Sequence, residues 1–253
     1  MNGLIQAAVE ARSLAVVEKP QVATVDFAFA MGEDVEPGKV MRFYKELGES
    51  EDGMTGFRAV VGLGGSTAFT VKTGIGDDQF PAKMYGVVLY SHDFNVYFND
   101  ELQGEPPECF SGDGITGENR ITGETCDCSK CPRNRRADGK KSKDCRNKRR
   151  LYILTEGVMV PMVLDIPPAS LRSGWKKYRD ALRMLGFREP HEVLTEFSLE
   201  RATNANKNVY SKIIMKPMGL LPKETVKTVE AIRSVFKPNE IELEDFVDIS
   251  EEE

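Results

Sequence analysis

Five cysteines stand where this sequence could do chemistry: Cys109, Cys126, Cys128, Cys131 and Cys145. Cys128-Ser-Lys-Cys131 is a Cys-x-x-Cys, a spacing that lets two thiolates reach one ion from a single tight turn. Cys145 lies fourteen residues after Cys131, a reasonable span for a ribbon-like loop. A tetrahedral site needs a fourth ligand, which Cys109 or Cys126 could supply. Cys126 is two residues from Cys128 and would crowd the chelate, whereas Cys109 closes the segment at its base. The preferred ligand set is therefore Cys109, Cys128, Cys131 and Cys145 around a structural Zn²⁺, with Cys126 as the alternate. The competing reading is a set of reduced, unliganded thiols on a disordered loop. A redox Cys-x-x-Cys would be expected within a βαβ pattern, which is missing here. An all-cysteine site is closed to substrate, and no glutamate base is placed for a catalytic zinc.

Other catalytic constellations do not assemble. The two histidines, His92 and His191, are far apart in the sequence, and no Ser-His-Asp, Cys-His or paired-carboxylate set can be put together. "GLGGST" (62–67) lacks the Gly-Lys-Ser/Thr ending of a phosphate loop and is followed by "AFTVK", a strand pattern, so its glycines read as turn chemistry. The acids around "SGDGITGE" lack EF-hand spacing. The chain is therefore read as a non-enzyme with no catalytic residues.

Charge separates the chain into parts. The formal net charge is −6, yet residues 126–150 hold eleven bases against three acids. The last fifteen residues, "NEIELEDFVDISEEE", hold eight acids and no base, and they account for the negative total. The bases are Lys130, Arg133, Arg135, Arg136, Lys140, Lys141, Lys143, Arg146, Lys148, Arg149 and Arg150. A metal-ordered loop would hold these charges together, and a phosphate backbone is their natural partner. Lys130, Arg133, Lys143 and Arg146, within two residues of the proposed ligands, are expected to favour thiolates. The bland alternative is a solvated charged loop.

Aromatics flank the basic segment. Tyr90, Phe94, Tyr97 and Phe98 precede it and Tyr152 follows it. Beside a basic groove such rings can stack single-stranded bases. Strand alternation must bury part of this set, so one or two rings are expected to stack. Arg172, Lys176, Lys177, Arg179 and Arg183 lie on the outer face of a predicted helix and read as an ordinary solvated face.

These residues need a scaffold. Residues 101–150 contain almost no apolar material, so burial alone cannot offset their ordering entropy. A structural zinc contributes on the order of 10 kcal/mol in small peptides. Elsewhere the pattern is regular. A short helix is expected within 1–20 and a strand at "QVATVDFAFAM". "AKMYGVVLYSHDFNVYFND" reads as one or two strands with "SHD" as a turn, and 101–125 as loop. "RLYIL" and "VMVPMVLDI" read as a hairpin. A helix over 170–186 carries the stripe Leu171, Trp175, Tyr178, Leu182 and Leu185, with Ser170 as N-cap and Gly186 past its end. Val193, Thr195, Phe197 and Leu199 alternate in a strand, "NANKN" turns, and "VYSKIIMKPM" returns beside it. A closing helix opens at Pro222. The fold class is α+β: a small antiparallel β-barrel, OB-like, with flanking helices and a zinc-ribbon-like insertion. A sandwich fits nearly as well. Residues 1–238 form one domain, 101–150 are its inserted basic zinc loop, and 239–253 are an acidic tail expected to stay disordered.

At "CFSGDGITG…CDCSKCPRN…KDCRNKRRLYIL…IPPASL" the chain resembles a group of phage and mobile-element proteins. Those proteins pair a Cys-x-Ser-x-x-Gly loop with a downstream Cys-x-x-Cys-Pro and a cysteine before an Arg-rich strand, and the resemblance covers about 109–215. More loosely, the layout is similar to phage single-stranded-DNA-binding proteins, which combine an OB-fold barrel, in some cases a zinc subdomain, and an acidic C-terminal tail. The best-known zinc-bearing phage form uses a histidine ligand and a different ligand order. The resemblance implies single-stranded DNA as partner, a role in phage DNA replication or recombination, and replication or recombination proteins as partners of the acidic tail. The runner-up is a zinc-stabilised adaptor of a phage or mobile element. No signal peptide and no apolar run of membrane-spanning length are visible, so an intracellular, cytoplasmic location is expected, the host cytoplasm if phage-encoded.

Overall fold

In the computed structural model the described residues are Arg42 and 58–236, except 63–64, 73–76, 100–105, 141, 156–157, 159, 187 and 205–206. The helix expected within 1–20, the strand at 21–31 and the acidic tail lie outside them.

Chain order runs through β1 (Arg58–Val61), β2 (Phe69–Lys72), the long β3 (Lys83–Tyr97) and three short strands, β4 (Cys109–Ser111), β5 (Thr116–Asn119) and β6 (Thr125–Asp127). Then come β7 (Arg146–Thr155), β8 (Met162–Ile166), helix α1 (168–184), β9 (Val193–Thr203), β10 (Val209–Leu220) and α2 (Lys223–Val235). All ten strands belong to one sheet, in the order β2-β1-β8-β7-β3-β4-β5-β6, with β9 and β10 branching from β3. The class is α+β and dominated by sheet. The sheet is mixed, since β1 runs parallel to β8, and among the described residues its ladder is open.

β3 organises the whole. It pairs along most of its length with β7, Gly86 opposite Thr155 and Val96 opposite Arg146. Its other edge is shared: β9 covers Lys83–Gly86 and β4 covers Asn95–Tyr97. "SHD" is not a turn. Ser91, His92 and Asp93 sit mid-strand opposite Leu151, Arg150 and Arg149. The polar residues that suggested a break are cross-strand partners instead, with Arg149 bidentate on Asp93 at 2.8 and 2.7 Å.

The central strands are buried on both faces, as a near-continuous apolar run requires. Leu151 and Ile153 of β7 join Val88, Leu164, Phe197 and Ile213 in the larger core, which α1 covers with Tyr178 and Leu182. Tyr152 and Leu154 point the other way, to Val87, Leu89 and the α2 residues Val229 and Ile232. Fully burying such a side chain is worth roughly 1.5–3 kcal/mol, so these two layers supply the body's stability. A bulge between Val88 and Tyr90 shifts the alternation of β3.

α1 starts at Pro168 rather than being capped by Ser170. Its middle, Leu171–Lys176, is π-helical before regular α-helix resumes at Lys177–Met184. Contact with β10 accounts for both departures. Ser170 is fully buried, and its Oγ accepts the Ile213 N–H at 2.9 Å, so it serves the strand. At Gly174 a Cβ would stand 2.5 Å from the Ile213 carbonyl oxygen, so only glycine lets the helix lie this close. The helix thereby covers the outer edge of β10. Its far end follows expectation: Gly186 has φ +96 and its N–H donates to the Arg183 carbonyl.

Candidate metal centre and the basic lobe

Between 106 and 127, where loop is expected up to 125, short strands alternate with turns. The small polar residues there make turns, and the turns make a three-stranded meander. Asp113 Oδ1 accepts the N–H groups of Ile115 and Thr116. Asn119 Oδ1 accepts those of Ile121 and Thr122, and Asp127 Oδ1 that of Ser129. Each is a side chain standing in for a turn carbonyl. Between them β4 pairs with β5, Cys109 opposite Asn119, and β5 with β6, Gly117 opposite Cys126.

This meander gathers the cysteines. Cys109 opens β4 and Cys126 lies in β6. Beyond it the N–H groups of Lys130 and Cys131 turn back onto the Asp127 carbonyl, and the Cys128 N–H donates to Ile115. Cys145 is drawn in by its N–H to the Arg133 carbonyl at 3.0 Å. All five cysteines, not four, line one cavity of about 20 Å³, room for a single water-sized occupant. Cys126 is not set apart: a Cβ built on Gly117 would stand 3.3 Å from the sulfurs of Cys109, Cys126 and Cys128 alike. Gly117 is thus the residue that leaves space among the thiols, and its only signal in the sequence is a glycine inside "ITGEN".

Among the described residues no three His, Cys, Asp or Glu side chains already stand as a metal-ligand group. Burial raises the Cys109 thiol to about 11 and the Cys145 thiol to about 12, with repulsion from neighbouring sulfurs adding to it. Cys126 moves in the same direction for the same reasons. Lys143 pulls Cys145 down, but burial prevails at that thiol. The donor set suits a soft divalent cation, which would offset the repulsion that the sulfurs alone cannot.

The basic residues divide by depth. Lys130, Arg135, Arg136, Lys140 and Lys143 are exposed, and Lys141 lies outside the described residues. Lys130 pairs with Asp127, Lys140 with Asp144, and Lys143 Nζ donates to Asn134. Arg133 builds the lobe: its guanidinium donates to Glu108 at 2.7 Å and lies 4.0 Å over the Tyr97 ring. Glu108 is buried and also accepts from Asn99 and Asn119. Together these donors outweigh burial and hold its carboxyl below the ordinary range. Arg146 covers Phe98, and half-buried Arg149 covers Trp175. Lys148 is half-buried.

Arg150 is not available to a ligand. It is 4% exposed and holds Asp165 with two bonds, at 2.8 and 3.0 Å, while Arg58 adds a third at 3.1 Å. Phe94 and Tyr152 are likewise buried, at 0% and 2% exposure, and cannot stack a base. Phe94 packs with Val96 under the lobe, and Tyr152 stacks on His92 and meets Phe236 edge-on. Of the rings singled out in the sequence, Tyr90 is exposed, while Tyr97 and Phe98 sit half-buried beneath arginines.

No family model, curated protein or solved structure matches this chain. Among the described residues no helix is long and apolar enough to cross a membrane.

Proposed function

We propose that the chain binds single-stranded DNA through a zinc-ordered lobe and acts without catalysis in DNA replication or recombination. One observation carries the reading: five thiols line an ion-sized cavity, and the segment 126–150 that supplies four of them also carries five exposed cations. Cys109, Cys128, Cys131 and Cys145 would hold the zinc, with Cys126 able to replace one of them. Zinc supplies cross-linking here and no reaction. Phosphates would then lie along Lys130, Arg135, Arg136, Lys140 and Lys143, with Tyr90 as the ring open to a base. In this reading the sheet is a relative of the OB barrel. What supports that finer class is the contact between sheet ends, where Ser211 Oγ lies 2.8 Å from the Gly62 and Ser66 carbonyls. The acidic tail would recruit replication or recombination proteins.

Titration with oligo-dT at low and moderate salt tests the proposal. Binding that weakens steeply with salt is expected, and no binding at low salt overturns it. A second reading, a zinc-stabilised adaptor, is favoured by Ile115 and Ile121, which face solvent from the lobe at 67% and 61% exposure. Partner capture abolished by Ile115→Asp, together with indifference to oligo-dT, would select it.

A further inference from the structure

β9 and β4 share one edge of β3 but leave a gap between Gly86 and Asn95. At that gap lies an open cleft of about 240 Å³. β3 forms its floor with Val88–Ser91, α1 one wall with Trp175 and Arg179, and the other side comes from Glu189–His191 and Arg233 of α2. Arg149 reaches in from β7. Three guanidiniums from three elements therefore meet two aromatic rings in one recess, against a single lining carboxylate, Glu189.

The cations are held in place. Arg149 is braced between Asp93 and the Trp175 ring, 4.7 Å from its centroid. Arg179 pairs with Glu189 at 3.1 Å. Arg233 donates to the ring of His191, which stands 3.7 Å from Glu230. Asp93, Glu189 and Glu230 are each more than half exposed, whereas Arg149 and Arg179 are not. The carboxylates therefore sit at the rim, in exposed pairs of the kind worth little by themselves, and the Arg149 and Arg179 guanidiniums lie deeper, while Arg233 is itself exposed. Trp175 falls in the π-helical turn of α1, an irregularity that frequently accompanies functional sites.

We infer that this cleft binds one nucleotide, its phosphate on Arg149, Arg179 and Arg233 and its base against Tyr90. Guanidiniums recognise phosphate, and a ring with an open face takes a base of any identity. The inference rests on the single-strand reading and extends it from the lobe to the body. β3 runs from one to the other: Tyr97 borders the cysteine cavity and Tyr90 the cleft, about 23 Å apart along an extended strand.

Trp175 is the chain's only tryptophan, so selectively excited tryptophan emission reports on this cleft. The full chain is titrated with thymidine monophosphate, inorganic phosphate, a short oligo-dT and a synthetic peptide of residues 239–253. Oligo-dT binding is followed in parallel by anisotropy of the labelled strand. Oligo-dT is expected to change Trp175 emission, with affinity about tenfold lower in Arg179→Ala and Tyr90→Ala at unchanged melting temperature. A response to the monophosphate that Arg233→Ala abolishes assigns the cleft to a free nucleotide as well. Anisotropy showing oligo-dT bound, with silent Trp175 and wild-type affinity in both variants, overturns the inference and leaves the lobe reading intact. Equal responses to phosphate and nucleotide, or a response to the peptide alone, also overturn it. If oligo-dT does not bind at all, the single-strand reading fails, and the monophosphate response alone decides the cleft.

Discussion

Strand β7 and the three short strands β4, β5 and β6 show how differently this chain holds itself together. β7 buries every residue from Arg150 to Leu154, feeding two apolar layers at once. β4, β5 and β6 together bury only Ser111 and Gly117, while Ile115 and Ile121 beside them face solvent. The body is ordered by hydrophobic burial. The lobe is ordered by side-chain turns, the Glu108–Arg133 contact and a cavity of thiols. On the proposed reading, the lobe's stability depends on what fills that cavity, whereas the body's does not.

The contrast can be broken most forcefully from the body. Phe197→Ala empties a site at 0% exposure and is expected to cost about 3–5 kcal/mol. Calorimetry should show the main transition falling in metal-loaded and metal-stripped protein alike. A loss confined to one form would join the two regions that the account separates.

Asp165→Asn comes next, since it strips the buried Arg150 of its ionic partner, at about 3 kcal/mol. Arg150 and its neighbours hold the Asp165 carboxyl well below the usual range despite its burial. A carboxyl depressed in the folded state stabilises above its unfolded value and loses that contribution as pH falls. The wild type should therefore approach the variant as pH drops below about 4. Denaturant melts that differ by the same amount at neutral and acid pH would show that the charge is not the cause.

Gly117→Ala sharpens the contrast from the other side. Its methyl would press on three sulfurs. Metal content measured by mass spectrometry is expected to fall, with the body's melting temperature changed by less than about 0.5 kcal/mol equivalent. Full metal loading in this variant would count against the cavity as the site. The smallest effect belongs to Arg136→Ala on the exposed rim: stability unchanged, and the slope of log affinity for oligo-dT against log salt reduced by about 1. An unchanged slope would remove Arg136 from the phosphate path.

The body was legible wherever period decided burial. Val193, Thr195, Phe197 and Leu199 alternate and are all buried, and the closing helix expected after Pro222 forms as α2 and buries Val229 and Ile232. Legibility failed where polar residues served the interior of the sheet. His92 and Asp93 looked like a turn because nothing local shows that Arg150 and Arg149 stand opposite. The same register explains Arg150: read within a basic run it belongs to a ligand, but as part of β7 it alternates into the interior. The lobe's strands were hidden because Asp113, Asn119 and Asp127 are turn-formers, and turns spaced this closely leave room for only three or four residues between them. The cysteines announced a shared site through spacing. That all five share it depends on the pairing of β5 with β6, which spacing alone does not carry.

The central claim is that filling the thiol cavity orders the surface that binds DNA. The most direct test is one anisotropy titration of labelled oligo-dT on the same full-length preparation: as purified, stripped with chelator under reducing conditions, and reloaded with zinc. The account predicts that stripping lowers affinity by at least about tenfold and that zinc restores it. Identical affinity in all three states would contradict it.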